Sequence, residues 1–413
     1  MAPGDRGDEH DLVRPREAMI RSNASPAQQQ RQAMHNANAF KVGLFGANLS
    51  GARTATTVPD RWSASWPDCL TMARIADEGG IDFLLPVGRW KGYGGETDFH
   101  GTSLETITWA TGLLAATRRV TVFGTVHAPL FHPLIAAKQM VTADLVGEGR
   151  FGLNIVAGWN ESEFEMFGVS QREHDERYRY AEEWLDILML AWTGPEQFDY
   201  DGQFLKLKEV RAKPKPFGGT RPLIMNAGAS PAGRAFALRN CDAFFTSLSS
   251  ARIMKAEQGG YAASSDVDLI ELTAQNVAGI KAEAQAQGRE IEVYTQGQVI
   301  CRRTQKEAED YYHWANVENA EWPAIDRMLE LHNVTAANTA PNVLQSKRHM
   351  MALSGIGGRP YVGAPDKVAE DMATLARAGL RGIAFSFVNF VKDAPFFCAE
   401  VLPRLARMGL RAV

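Results

Sequence analysis

Arg150-Phe-Gly-Leu-Asn-Ile-Val-Ala-Gly-Trp159 reads as a β-strand that runs into a Gly-Trp turn. Side chains alternate across a strand, so Phe151, Leu153, Ile155 and Ala157 fall on one face, and Gly152, Asn154, Val156 and Gly158 on the other. One amide side chain therefore stands inside an otherwise apolar strand. A buried amide left unpaired costs roughly 1–3 kcal/mol, so it needs partners. Glu163, Glu165 and His174-Asp-Glu-Arg-Tyr178 follow directly. Polar groups gathered after the carboxyl end of a strand mark a candidate site.

Outward from this strand, the chain alternates strand and helix patterns from Phe40 onward. Strands are expected at 40–46, 82–86, 120–125, 151–157, 222–226, 242–246, 291–301 and 383–388. Helices are expected at about 65–78, 103–117, 133–146, 176–193, 231–240, 267–287, 305–331, 366–379 and 395–408. Eight strands alternating with helices predict an α/β protein, a (β/α)8 TIM barrel. An ideal barrel needs about 250 residues, so this chain of 413 carries insertions. They are expected near 87–101, 194–220 and 333–363, the last as a candidate lid. Residues 1–38 are charged and Gln-rich and read as a flexible N-terminal arm, mobile or packed on a partner subunit. The barrel then occupies 39–413. The first strand is followed by Gly46-Ala-Asn-Leu-Ser-Gly51, which lacks the G-x-G-x-x-G of a dinucleotide-binding sheet.

Composition excludes several classes. The net charge of −4 gives no reason to expect a nucleic-acid partner. No run of about 18 apolar residues predicts a membrane span, and the amino terminus has no apolar signal core. Cys69, Cys241, Cys301 and Cys398 lie far apart, as reduced thiols of a cytoplasmic protein would.

Further candidate residues lie at other strand ends. In Met225-Asn-Ala-Gly-Ala-Ser-Pro-Ala-Gly233, Ser230 suits a helix N-cap and Pro231 the first helical position. Free amides there make either an anion site with room for a phosphate or a plain cap. Arg177 and Tyr178 open a helix after Asp175. The guanidinium fork suits phosphate or carboxylate, but Glu176, Arg179, Glu182 and Glu183 equally fit a solvated face. Thr125 ends the third strand in Phe-Gly-Thr-Val-His127. His127 is either a pocket residue, such as a general acid, or a hydrogen-bonded rim histidine. No His-x-His or His-Glu-x-x-His pattern accompanies His127 and His132, so no metal is expected. Gly88-Arg-Trp-Lys-Gly-Tyr-Gly-Gly95 reads as a pocket wall in which Arg89 and Lys91 clamp an anionic or planar ligand. Trp159 either stacks on a planar ligand or plugs the barrel mouth.

Together these segments resemble the bacterial-luciferase-like flavin monooxygenases, especially the two-component pyrimidine, dimethyl sulfone and alkanesulfonate enzymes. The resemblance runs from about Lys41 to Leu405. Its carriers are Gly149-Arg-Phe-Gly-Leu-Asn-Ile-Val-Ala-Gly-Trp159, His174-Asp-Glu-Arg-Tyr-Arg-Tyr-Ala-Glu-Glu183, Asn226-Ala-Gly-Ala-Ser230 and Gly363-Ala-Pro-Asp-Lys-Val368. It implies an enzyme that receives reduced FMN (FMNH2) by diffusion from a separate NAD(P)H-dependent flavin reductase. With O2, such an enzyme inserts one oxygen atom into a small organic substrate: a cyclic amide or heteroaromatic, a sulfone, or a halogenated aromatic. Carried over, the flavin contacts fall on Gly88, Arg89, Asn154, Glu163, Arg177, Tyr178 and Ser230. The oxygen-pocket pair falls on Thr125 and Asn154, with oxygen reacting at flavin N5. A homodimer or homotetramer is implied as well.

Departures leave the substrate open. Thr125-Val-His127 replaces the Thr-Ala-Ala of the pyrimidine enzymes, and the His-Asp-Glu-Arg-Tyr segment is nearer the dimethyl sulfone enzymes. Trp90, Phe131 and Trp159 suggest a flat or apolar substrate. Two rivals share the fold. A deazaflavin-dependent dehydrogenase would exchange hydride without oxygen. A metal-dependent hydrolase would need ligands where the chain reads Phe45-Gly-Ala-Asn-Leu49.

Overall fold

The structure is a computed structural model that describes residues 30–31, 34–246, 266–354 and 358–412. Residues 1–29 of the segment read as an arm lie outside the described residues.

The strands are β1 (Lys41–Phe45), β2 (Phe83–Leu85), β3 (Thr121–His127), β4 (Phe151–Val156), β5 (Gln197–Asp201), β6 (Lys206–Arg211), β7 (Leu223–Asn226), β8 (Ala243–Thr246), β9 (Glu292–Cys301), β10 (Arg359–Gly363) and β11 (Gly382–Ser386). Parallel pairing runs β1-β2-β3-β4-β7-β8-β9-β11, and β11 returns to β1, which closes an eight-stranded barrel. All eight strands fall where the sequence pattern puts them. Their apolar runs are buried on both faces, as a parallel sheet wrapped by helices requires.

The helices are α1 (Trp66–Gly79), α2 (Thr106–Ala116), α3 (Pro133–Val146), α4 (Glu161–Met166), α5 (His174–Thr193), α6 (Pro231–Asn240), α7 (Asp266–Ala286), α8 (Gln305–His313), α9 (Trp322–Leu331), α10 (Pro341–Leu353), α11 (Pro365–Arg377) and α12 (Phe390–Arg407). Their starts follow local chemistry. Ser65, Glu105, Ser230, Thr304 and Asn389 each accept a first-turn amide, and prolines occupy several first turns.

Two cores result. The outer one packs strand faces such as Leu153 and Ile155 against the helices. The inner one fills the barrel with Phe45, Phe83, Phe123, Met225, Phe245 and Tyr294, whose rings meet edge-to-face. Gly152 and Asn154 belong to the face opposite Leu153, the barrel-lining one, so the site residues stand directly above this aromatic plug.

The structure corrects one expectation and fills in two others. The helix expected at 305–331 is interrupted by a π-helical stretch, Trp314–Glu318, and resumes as α9. There the Thr56 hydroxyl, with its one proton, lies 2.6 Å from the Ala315 carbonyl and 3.0 Å from the Asn319 carbonyl. The insertion 333–363 holds α10 and a ninth parallel strand, β10, which pairs outside the barrel with β9. The insertion 194–220 is built on an antiparallel hairpin, β5-β6.

The amino-terminal end of the barrel is tied shut by the described end of the arm. Arg31 is buried and makes a two-pronged pair with Asp144 at 2.7 and 2.9 Å. It also donates to the Gly149 and Phe217 carbonyls at 3.0 and 2.7 Å. Asp82 collects Asn36, Asn38 and Arg411 close by. These residues have polar sequences, which is why they read as a tail. Their partners lie more than forty positions away, and those of Arg31 more than a hundred.

Candidate active site

At the carboxyl end of the barrel, β3 and β4 set Thr125 directly beside Asn154 in parallel register. The Thr125 hydroxyl donates to the Pro86 carbonyl at 2.5 Å, which uses its single proton. It therefore meets Asn154 as an acceptor, and Asn154 Nδ2 donates to it at 3.2 Å. This fixes the amide orientation, because the flipped amide would face lone pairs with a lone pair. Asn154 Oδ1 remains, buried and without a partner. An unpaired acceptor of this kind is costly in a folded protein unless a donor arrives.

Glu163 is nearly fully buried on α4. Its Oε1 takes Arg89 Nη1 at 3.0 Å and the backbone amides of Trp90 and Lys91 at 2.9 and 3.2 Å. One carboxylate thus holds the Gly88–Lys91 loop and Arg89 together. Ser103 Oγ donates to the Arg89 carbonyl at 2.8 Å and locks the other side. Gly88 is forced by space. A Cβ there would lie 2.9 Å from His127 Cε1 and 3.3 Å from the Thr125 carbonyl.

His127 is buried under that loop. Burial pushes its pKa down to about 4; Glu163 opposes this and Arg89 adds to it. The imidazole is therefore neutral at neutral pH. That disfavours the general-acid reading, since an imidazolium proton is not present to be given. A hydrogen-bonding or shielding rim histidine fits better. Trp90, Phe131 and Phe167 form an aromatic wall, with Trp90 centroids 6.3 Å from Phe131 and 5.0 Å from Phe167.

Across the mouth, Ser230 caps α6 by accepting Gly233 N at 3.1 Å, as expected from Ser-Pro. The cap uses a lone pair, so the hydroxyl proton is available for a ligand. Asn226 carries the approach to this cap. It donates to the Ile155 carbonyl at 2.7 Å and accepts from Gly228 N at 2.8 Å. Tyr178 brings the start of α5 against the start of α6. Its hydroxyl would lie 2.8 Å from a Cβ on Gly228 and 2.5 Å from one on Gly233. Arg177 Nη1 donates to the Gly158 carbonyl, and Arg177 Nε is buried without a partner.

All nine sequence-selected residues lie at strand ends or in the segments that follow them. Thr125 and Asn154 are bonded to each other; Gly88, Arg89, Glu163 and His127 form one cluster; Tyr178 and Ser230 meet at the α6 cap. Sequence reasoning missed several neighbours. Asn48 bridges the Val87 backbone and the Leu104 carbonyl, which fixes the loop after β1 to the loop after β2. Arg53 is buried with its guanidinium 4.6 Å above the Phe45 ring, and burial pushes its pKa down to about 10. His100 is buried with Nδ1 unpartnered. His332 stacks on Trp159. A polar residue just past a strand end was the available signal for Asn48. The other three come from loops and a helix end whose path no local pattern gives.

Among the described residues no group of three His, Cys, Asp or Glu side chains converges as metal ligands would, and no helix is long and apolar enough to cross a membrane. The description of luciferase-like monooxygenases matches residues 40–382, and the chain belongs to that family, an enzyme of the monooxygenase class. It is 29% identical over 369 residues to the FMNH2-dependent dimethylsulfone monooxygenase of Pseudomonas putida, covering 88% of this chain and 94% of the relative. It is 27% identical over 371 residues to the pyrimidine monooxygenase RutA of Serratia proteamaculans, covering 88% and 95%. Among solved structures, riboflavin lyase RcaE with modified FMN and riboflavin matches with a TM-score of 0.78 at 22% identity, over 90% of this chain and 92% of that one. This last likeness is one of fold.

Proposed function

We propose that this chain is the oxygenase of a two-component system, using reduced FMN from a separate flavin reductase to insert one atom of O2 into a small, flat or apolar organic substrate. The observation that carries the reading is the orphaned Asn154 Oδ1 beside Thr125. It is a buried acceptor in want of an N–H donor. Reduced flavin carries an N–H at N5 that oxidised flavin lacks, so the acceptor suits the reduced form. The names of the relatives at 29% and 27% identity support the cofactor and the reaction.

The residues present fit the group. Ser230, with its free hydroxyl proton, and Tyr178, against the Gly228 and Gly233 backbone, would hold the phosphate end. Arg177 Nε, still unpaired, would add a charged donor. Gly88 and Arg89 would border the ring system. Glu163 would act at one remove through Oε1, which holds Arg89 and two backbone amides of the loop that borders the ring. Bound reduced FMN would supply the two electrons with which one atom of O2 enters the substrate and the other leaves as water. The chain's own part is to orient the ring through Asn154, to present the Thr125–Asn154 pair to developing negative charge, and to exclude water with Trp90 and Phe131.

Turnover under 18O2 with a separate NAD(P)H-dependent reductase tests this across cyclic amides, sulfones, sulfonates and halogenated aromatics. One labelled oxygen atom per product, seen only when reductase is present, is expected. Product from NADPH and this protein alone would contradict the two-component reading. Turnover without oxygen uptake would move the chain to the deazaflavin dehydrogenases.

A further inference from the structure

Trp159 is a large apolar side chain left 37% exposed at the barrel mouth, just after β4. An indole at the catalytic end of a barrel stands where a bound ligand would meet it. Its neighbours are held unequally. The Arg89 guanidinium carbon lies 5.3 Å from the Trp159 ring and 4.8 Å from that of Tyr93, pinned by Glu163. Against the same indole, His332 lays its imidazole nearly parallel, with centroids 4.9 Å apart and an interplanar angle of 9°. His332 sits at the carboxyl end of α9, in the segment inserted between β9 and β10. Among the described residues its imidazole makes no hydrogen bond, and its ring contact is with the Trp159 indole. One side of the arrangement is bolted to the barrel, and the other rests on it.

We propose that Trp159 is the stacking platform for a planar heteroaromatic or cyclic-amide ring of the substrate, and that His332 is a place-holder which that ring displaces. The inference uses the flavin-oxygenase reading only to call this ligand a substrate. The imidazole shows the shape the platform takes: a small, flat, nitrogen-containing ring. A saturated ring with the same polar groups carries C–H bonds on both faces and cannot approach the indole as closely. His332 competes for the platform, so removing its ring favours planar ligands and leaves saturated ones alone.

Calorimetric titration of the full chain without flavin tests this, using the planar probes 2-pyridone and 2-quinolone and the saturated probe piperidin-2-one. Oxidised FMN is titrated in parallel. The wild type is expected to bind the planar probes about 2- to 10-fold more tightly than piperidin-2-one, the range an aromatic pair supplies. Trp159→Leu should erase that preference. His332→Ala should tighten the planar probes by a similar factor and leave piperidin-2-one unmoved. Among the described residues the His332 imidazole makes no hydrogen bond, so this variant carries the test even if Trp159→Leu fails to fold. Absent or planarity-blind binding by the wild type would overturn the proposal. So would a His332→Ala gain that goes to FMN and not to the lactams, which would assign the platform to the cofactor. Failure of the flavin reading shows elsewhere, as absent oxygen uptake with reduced FMN, and leaves the lactam titrations unaffected.

Discussion

Thr125 has one hydroxyl proton, and the Pro86 carbonyl takes it. From that fact follow the orientation of Asn154 and the buried acceptor left without a partner. Thr125→Val removes the acceptor that holds Asn154 Nδ2. It should weaken reduced-FMN binding by roughly 1–3 kcal/mol, measured by anaerobic titration. His127 gives a second prediction. Its pKa falls from 6.5 unfolded to about 4 folded, chiefly through burial. The unfolded chain then binds more protons between those values, so stability rises with pH there. His127 favours folding fully above about 6.5 and loses that contribution as pH falls towards 4, by at most about 3 kcal/mol. Urea unfolding of wild type and His127→Gln at pH 5 and pH 7.5 should show a smaller pH dependence in the variant. Equal pH dependence would contradict a neutral buried His127. At this scale the sequence exposes the odd amide, because alternation alone marks Asn154. It hides the orientation, which depends on a carbonyl of the neighbouring strand's exit.

A loop and a helix end illustrate what elements add. The Gly88–Lys91 loop reads in sequence as a pocket wall, and one buried carboxylate from α4 fixes it. Glu163→Ala should leave Arg89 buried without its partner and lower stability by about 3–5 kcal/mol. Flavin affinity should fall with it, since the loop borders the proposed ring site. Unchanged urea midpoints would sink that account of the loop. The α6 start behaves as its Ser-Pro pair predicts, and Ser230→Ala should cost about 1 kcal/mol of stability through the cap alone. The 305–331 region was legible as helix but not as interrupted helix. The break meets Thr56, more than two hundred and fifty positions earlier, whose hydroxyl bonds the Ala315 carbonyl. In the same way α10 and β10 escape notice, because their sequences are polar on the outer side and their apolar partners come from α9 and β9.

For the molecule as a whole, the barrel was readable because each of its eight strands announces itself locally, and parallel order follows from the alternation with helices. The closure of its amino-terminal end was not readable, because it is made by ion pairs between distant positions. Arg31 is the clearest case. Arg31→Ala strips Asp144 of its buried cation and should lower stability by about 3–5 kcal/mol in urea unfolding. A change below 1 kcal/mol would mean that this tether is dispensable. One end of the barrel is thus shut by charge pairs, and the other keeps unpaired polar atoms for a ligand.

The account stands or falls on how the chain tells reduced from oxidised FMN. Anaerobic equilibrium titration of wild type and Asn154→Ala with both forms measures this directly. The account predicts reduced FMN binding to the wild type about tenfold or more tighter than oxidised FMN, within the roughly 1–3 kcal/mol that one buried hydrogen bond controls. It predicts that most of this preference disappears in Asn154→Ala. Equal or tighter binding of oxidised FMN, or a preference untouched by Asn154→Ala, would contradict it.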